Sequence, residues 1–118
     1  MATYFKILGQ VAPQPSVANT IYQVPNGRQA VISTINICNI DGITRTFRIA
    51  AVANNGTISA NNYLAYETPI QASDSVAMSI GVTLQGNDYI SVFANSTSNV
   101  AFSVFGSEIY WYVIKITY

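Results

Sequence analysis

The sequence has no histidine, one cysteine and very little charge. Without histidine it lacks the usual general base near neutral pH and the commonest neutral metal ligand. The single cysteine, Cys38, can neither close an intrachain disulfide nor build a zinc site alone. With no base beside it, Cys38 is expected to be a buried structural thiol. Charged residues make up 8% of the 118 residues, against about 25% in an average soluble domain. Five cations (Lys6, Arg28, Arg45, Arg48, Lys115) balance five anions (Asp41, Glu67, Asp74, Asp88, Glu108). Five scattered cations form no basic stripe, which excludes a nucleic-acid partner. There is no glycine-rich phosphate loop and no Asp-rich calcium loop. The carboxylates Glu67, Asp74, Asp88 and Glu108 could in principle pair for acid–base work of the glycosidase kind. Asp74 and Asp88 sit beside turns, where aspartate is favoured for backbone hydrogen bonds. The expectation is therefore a non-enzyme with no cofactor, no metal and no small-molecule substrate.

Long hydrophobic runs are also missing. The longest, Ile109 to Ile114, is stopped by Lys115, well short of the roughly 18–20 residues of a membrane helix. No membrane partner is expected. The first ten residues have no cationic stretch leading into an apolar one, so they do not read as a secretory signal, and synthesis in the cytosol is expected. The sequons Asn55-Gly56-Thr57 and Asn95-Ser96-Thr97 are accordingly read as chance.

What is present is hydrophobicity, at 50% of residues, which sets the chain apart from disordered sequences. It alternates at period two, with many β-branched and aromatic residues, and no helical period lasts three turns. About eight strands are expected: Thr3 to Leu8, Ile21 to Val24, Ala30 to Asn39, Arg45 to Ala53, Tyr63 to Thr68, Ser75 to Leu84, Tyr89 to Ala94 and Val100 to Phe105. Pro25-Asn26-Gly27, Asp41-Gly42, Asn54-Asn55-Gly56, Pro69 and Gly86-Asn87-Asp88 separate them. Asp41-Gly42 reads as a hairpin turn. This spacing predicts an all-β, two-sheet antiparallel sandwich, either jelly-roll or Ig-like. The alternation assigns five core sets: Val31, Ile35 and Ile37; Phe47, Ile49 and Ala51; Val76, Met78 and Ile80; Ile90, Val92 and Ala94; Val100, Phe102 and Val104.

Residues 1–109 read as the sandwich domain. Residues 110–118 read as a C-terminal strand or extended arm, apolar on both faces. Ile109, Trp111 and Val113 lie on one side, and Tyr112, Ile114 and Ile116 on the other. A strand buried on both sides needs extra cover. The cover is either a neighbouring subunit, since Tyr and Trp are enriched at interfaces, or the rest of this sandwich. The predicted interface residues are Tyr4, Phe5, Tyr110, Trp111, Tyr112, Ile114, Ile116 and Tyr118. Ser, Thr, Asn and Gln stand where most soluble proteins carry Lys and Glu, the residues depleted at interfaces.

Several segments, taken in order, carry a resemblance. Lys6-Ile7-Leu8-Gly9-Gln10, Tyr22-Gln23-Val24-Pro25 and Ala30-Val31-Ile32-Ser33-Thr34 come first. Cys38-Asn39, Thr46-Phe47-Arg48-Ile49-Ala50, Tyr63-Leu64-Ala65-Tyr66 and Thr68-Pro69-Ile70 follow. Gly81-Val82-Thr83-Leu84, Asp88-Tyr89-Ile90-Ser91-Val92 and Phe105-Gly106-Ser107-Glu108-Ile109 complete the series. Over residues 4–109 the chain resembles a family of small virion proteins of tailed bacteriophages, including phages of cyanobacteria. Tyr110 to Tyr118 extends beyond the family pattern. The resemblance implies a structural role in the virion, with assembly in the host cytoplasm. The expectation is a capsid cement or decoration protein that acts as a homotrimer against the phage major capsid protein. The alternative is a tail, neck or fibre component that binds host glycan. With no histidine, the protein's own charge should change little between about pH 6 and 8. Electrophoretic mobility should drift by less than about one charge across that window, the contribution of an α-amino group, and a step of several charges would contradict it.

Overall fold

The computed structural model describes residues 2–110. Eight strands follow in order: β1 (Ala2–Val11), β2 (Asn19–Gln23), β3 (Arg28–Asn39), β4 (Arg45–Val52), β5 (Tyr63–Ile70), β6 (Ser75–Gln85), β7 (Tyr89–Ala94) and β8 (Val100–Tyr110). One 3-10 turn, Ala60–Asn62, precedes β5. Two four-stranded antiparallel sheets form, one in the order β1-β8-β3-β6 and the other in the order β2-β7-β4-β5. The ladders β1–β8, β2–β7, β3–β6 and β4–β5 are successive rungs of one folded ribbon, wound so that β8 also pairs β3 and β7 also pairs β4. This winding is the jelly roll, which decides between the two sandwich types the sequence allows.

The winding corrects the reading of the turns. Only β4 and β5 are consecutive strands that pair. Asp41-Gly42 joins β3 of one sheet to β4 of the other and is not a hairpin. Asn39, fully buried at the end of β3, organises this crossing. Its Nδ2 donates to the carbonyls of Ile43, Ile70 and Gln71 at 2.9, 3.1 and 3.1 Å, and its Oδ1 accepts the Asp41 N–H at 3.0 Å. One side-chain amide thus ties the end of β3 to the Ile43 carbonyl before β4 and to the Ile70 and Gln71 carbonyls at the end of β5.

The core lies between the sheets. Ala30, Ile32, Ile35, Ile37, Phe47, Ile49, Ile90, Val92, Ala94, Val100, Phe102 and Val104 are buried there, and Phe47 meets Phe102 edge-on at 6.1 Å. The sets on β7 and β8 are as expected. The β3 set is not: Ala30 and Ile32 face the core in place of Val31. The register slips between Ile32 and Thr34. A bulge inserts one residue and reverses the parity of everything before it. Cys38 is half-buried, because Ile37 and Asn39 hold the inward positions on either side of it. On β6, Met78 and Ile80 pack against the core, while Val76 is exposed.

Three strands run two or more residues past their expected ends. β1 continues through Gly9 to Val11. Pro69 does not stop β5, which continues to Ile70. It is an edge strand, where proline forfeits no ladder bond to a second neighbour. The expected strand Val100 to Phe105 stops before Gly106, yet β8 runs unbroken to Tyr110, so Tyr110 continues β8. Gly106 is needed mid-strand because a Cβ there would collide with the Val31 carbonyl oxygen of the bulged β3. Glycine inside a strand marks such a close backbone approach. Gly106→Ala is therefore expected to destabilise the protein by more than about 2 kcal/mol. Gly81, where a Cβ meets open space, should tolerate Ala far better. Paired urea denaturation curves check this, and equal midpoints would refute it.

Candidate functional site

Three features stand apart from the apolar core: a buried carboxylate at one end of the sandwich, an apolar face on one sheet, and an aromatic cleft on the other.

The buried carboxylate is Glu108, 3% exposed. Antiparallel register places Tyr4 and Ala30 opposite Glu108, and Arg28 opposite Tyr110. These side chains therefore share the inner side of their sheet. Glu108 Oε1 accepts the Tyr22 hydroxyl from β2 at 2.7 Å. Its Oε2 accepts the Tyr110 hydroxyl at 2.7 Å and meets Lys6 Nζ at 3.2 Å and Arg28 at 3.5 Å. Arg28 also lies 4.0 Å over the Tyr110 ring, and Tyr4 packs on that ring at 5.0 Å. Burial pushes the carboxyl pKa up. The hydrogen bonds from Tyr22, Tyr110 and Lys6 outweigh this and hold it below the ordinary glutamate value. Burial, then the hydrogen bond to Glu108 and that carboxylate's charge, push the Tyr22 phenol well above the usual tyrosine range.

The apolar face is the outer side of the sheet containing β1. Opposite pairing aligns Phe5 with Ser107 and Ile7 with Phe105, and across β8 aligns Ser107 with Val31. Phe5 is 85% exposed and Ile7 is exposed beside it. Phe105, Val31 and Ile109 are half-buried on the same face. Of the predicted interface residues, Tyr4, still 46% exposed, packs on Tyr110 at one end of the sandwich, and Phe5 lies on the opposite face of β1. Trp111, Tyr112, Ile114, Ile116 and Tyr118 lie outside the described residues. Ile7, Val31 and Phe105 belong to the Phe5 patch but were not singled out by sequence reasoning, because the register of β1 on β8 and of β8 on β3 is what aligns them.

The cleft lies on the outer side of the second sheet. Ser91 on β7 pairs with Ala50 on β4, and Ala50 pairs with Tyr63 on β5. Two small residues thus make a low floor. Arg48, Phe93, Tyr63, Ile58, Ser16 and Ala18 wall it, enclosing about 280 Å³. Tyr63 and Ile58 also border a second depression of about 500 Å³ with Tyr66. Arg48 is stacked between rings, 4.5 Å from the Tyr66 centroid and 4.3 Å from Phe93. It is ion-paired to Glu67, with Nε at 2.6 Å. Glu67 reaches it from a bulge of β5, where φ is +47° and two residues, Tyr66 and Glu67, oppose Arg48 alone. Bulges re-aim side chains in this way. The hydrogen bonds from Arg48 and Thr46 lower the Glu67 pKa. Nothing in the sequence joins Arg48, Glu67 and Phe93, which lie far apart along the chain.

The remaining carboxylates serve the backbone and a neighbouring arginine. Asp41 pairs with Arg45, Asp74 accepts the Ser75 N–H at 2.8 Å, and Asp88 accepts the Asn54 and Gln85 N–H groups, each at 2.8 Å. Among the described residues there is no cluster of three or more metal-ligating side chains, and no helix long and apolar enough to cross a membrane.

No protein-family model matches the chain, and no curated protein matches it. Among solved structures it is similar to a chain in the structure of the Gx strain of infectious bursal disease virus. The identity is 14% and the TM-score 0.46, over 91% of this chain and 30% of that one. It is also similar to a chain in the structure of the Gt strain, at 14% identity and a TM-score of 0.42, over 90% and 31% of the respective chains. The protein thus spans under a third of the length of either virus chain.

The Glu108 cluster sets a pH dependence. A carboxyl with a lowered folded pKa stabilises the fold above its unfolded pKa, and that contribution is lost as pH falls through the folded value. The raised Tyr22 pKa gives stability that is present below the ordinary tyrosine value, about 10, and is lost at higher pH. Glu108→Gln is expected to lower stability at pH 7 and to flatten the acid limb below about pH 4.5. The limb should not vanish, because Asp41 and Glu67 are lowered too. Melting temperatures from pH 3 to 8 check this, and an unchanged acid limb would contradict it.

Proposed function

We propose that the chain is a non-enzymatic structural subunit of a tailed-phage virion, a cement or decoration protein that reinforces the major capsid lattice as a homotrimer. The observation that carries this reading is the exposed apolar face built by Phe5, Ile7, Val31, Phe105 and Ile109. A ring as exposed as Phe5, set among other apolar side chains, is the mark of a contact surface. The low charge supports the reading, since such a surface meets a neighbour without desolvating many ions. So does the ordered run of segments that resembles phage virion proteins.

The mechanism is mechanical. A packaged genome pushes outward on the shell. A clip across adjacent capsomers buries area that must be exposed before the shell opens, and a stable interface buries roughly 1,200–2,000 Å². Repetition over the lattice multiplies the effect. Residues 110–118 supply a second contact segment in this reading.

Phe5→Asp with Ile7→Ser should abolish trimer formation or particle decoration, while urea stability changes by less than about 1 kcal/mol because both side chains are exposed. Truncation after Tyr110, which keeps the hydroxyl bonded to Glu108, should also abolish trimer formation or particle decoration. Normal decoration by both variants would sink the proposal. Placement of the chain at the tail in an imaged particle would select the tail, neck or fibre alternative.

A further inference from the structure

The cleft on the second sheet is not used by the proposed lattice contact, which occupies the opposite side of the sandwich. We infer that it binds a neutral pyranose, the terminal unit of a glycan, with the ring seated over Ser91 and Ala50 against Tyr63. The inference does not depend on where in a particle the chain sits.

Four observations point to this chemistry. The floor is low because its cross-strand pair is Ser91 and Ala50, so a sugar ring can enter between the aromatic walls. The volume of about 280 Å³ falls just under the roughly 300–1,000 Å³ of drug-sized sites, which suits one sugar ring. The lining mixes aromatic faces with hydroxyl groups, those of Ser16, Ser91 and Tyr63. A pyranose needs both, since it carries apolar C–H faces and a polar rim. Finally, the one cation in the wall is already neutralised by Glu67 and covered by two rings. No spare positive charge remains among the lining residues for a carboxylated or sulfated sugar.

The adjoining depression gives the next unit of a glycan a place to lie. It shares Ile58 and Tyr63 with the cleft and adds Tyr66, which is 57% exposed and meets Tyr63 edge-on at 4.8 Å. The Arg48–Glu67 pair holds this wall in place. Arg48 lies against the Tyr66 face, and the bulge fixes Glu67 beneath it. Arg48 and Glu67 are thus positioning residues for the platform.

Amide chemical-shift titration of the full chain tests the inference. The probes are methyl α-D-glucopyranoside, methyl α-D-mannopyranoside, methyl β-D-galactopyranoside and N-acetylglucosamine, with sialyllactose as the anionic control. At least one neutral probe should shift Ser91, Phe93 and Tyr63, with saturation below about 50 mM. Tyr63→Ala should weaken that binding at least about fivefold, the scale expected for loss of an aromatic partner. Ser91→Leu, which fills the floor, should abolish it, and Phe5→Ser on the other sheet should leave it unchanged. The inference is overturned if no neutral probe shifts these amides, if the shifts survive Tyr63→Ala and Ser91→Leu alike, or if only sialyllactose binds.

Discussion

Glu108 is almost wholly removed from water, so its charge has to be met inside the protein, and meeting it draws four strands to one point. Tyr22 comes from β2 across the sandwich, Lys6 from β1, Arg28 from β3 and Tyr110 from the end of β8 itself. A carboxylate stripped of water is costly unless donors replace the water. The same donors cannot reach it unless both sheets sit at their observed spacing. The cluster therefore fixes the first strand, the last strand and the facing sheet together. Lys6 and Arg28 keep part of their side chains in water, so the Tyr22 bond, which is buried, is the firmest link across the layers.

With both layers held, the two outer faces are free to differ. One bears Phe5 and its apolar neighbours. The other sinks at Ser91 and Ala50 and rises at Arg48, Phe93 and Tyr63. Period-two alternation makes this division automatic. Each strand gives one side to the shared core and the other to its own surface, so substitutions on either surface leave the core sequence alone.

The alternation of Ile90, Val92 and Ala94, and of Val100, Phe102 and Val104, places β7 and the first half of β8, and the spacing of strands and turns points to an antiparallel sandwich. Strand order was not legible, because pairing between residues as distant as Ala2 and Tyr110 leaves no local mark. Bulges were not legible either. One at Ser33 exchanged Val31 for Ile32 in the core, and one at Glu67 carried a carboxylate to Arg48. Each adds a residue without changing composition, so a strict two-residue period runs through it unaware. Gly106 and Pro69 misled in the opposite direction. Both are punctuation in most sequences, but here one admits a neighbouring backbone and the other sits on an edge. Tyr4 and Phe5 are adjacent in sequence and were grouped together, yet a strand sends neighbours to opposite faces.

The pairing of β1 with β8 also has a kinetic side. A ladder that joins β1 to β8 closes only when all eight described strands exist, and such non-local topologies fold slowly. During synthesis β1 emerges early, with Tyr4, Phe5 and Ile7 on it, and waits unpaired until β8 is made. An apolar strand with open edges is a hazard for mispairing between nascent chains. Lys6, in the middle of that stretch, is the residue that interrupts it. The side chain that later closes on Glu108 thus puts a charge into the most apolar part of β1 while that strand is unpaired.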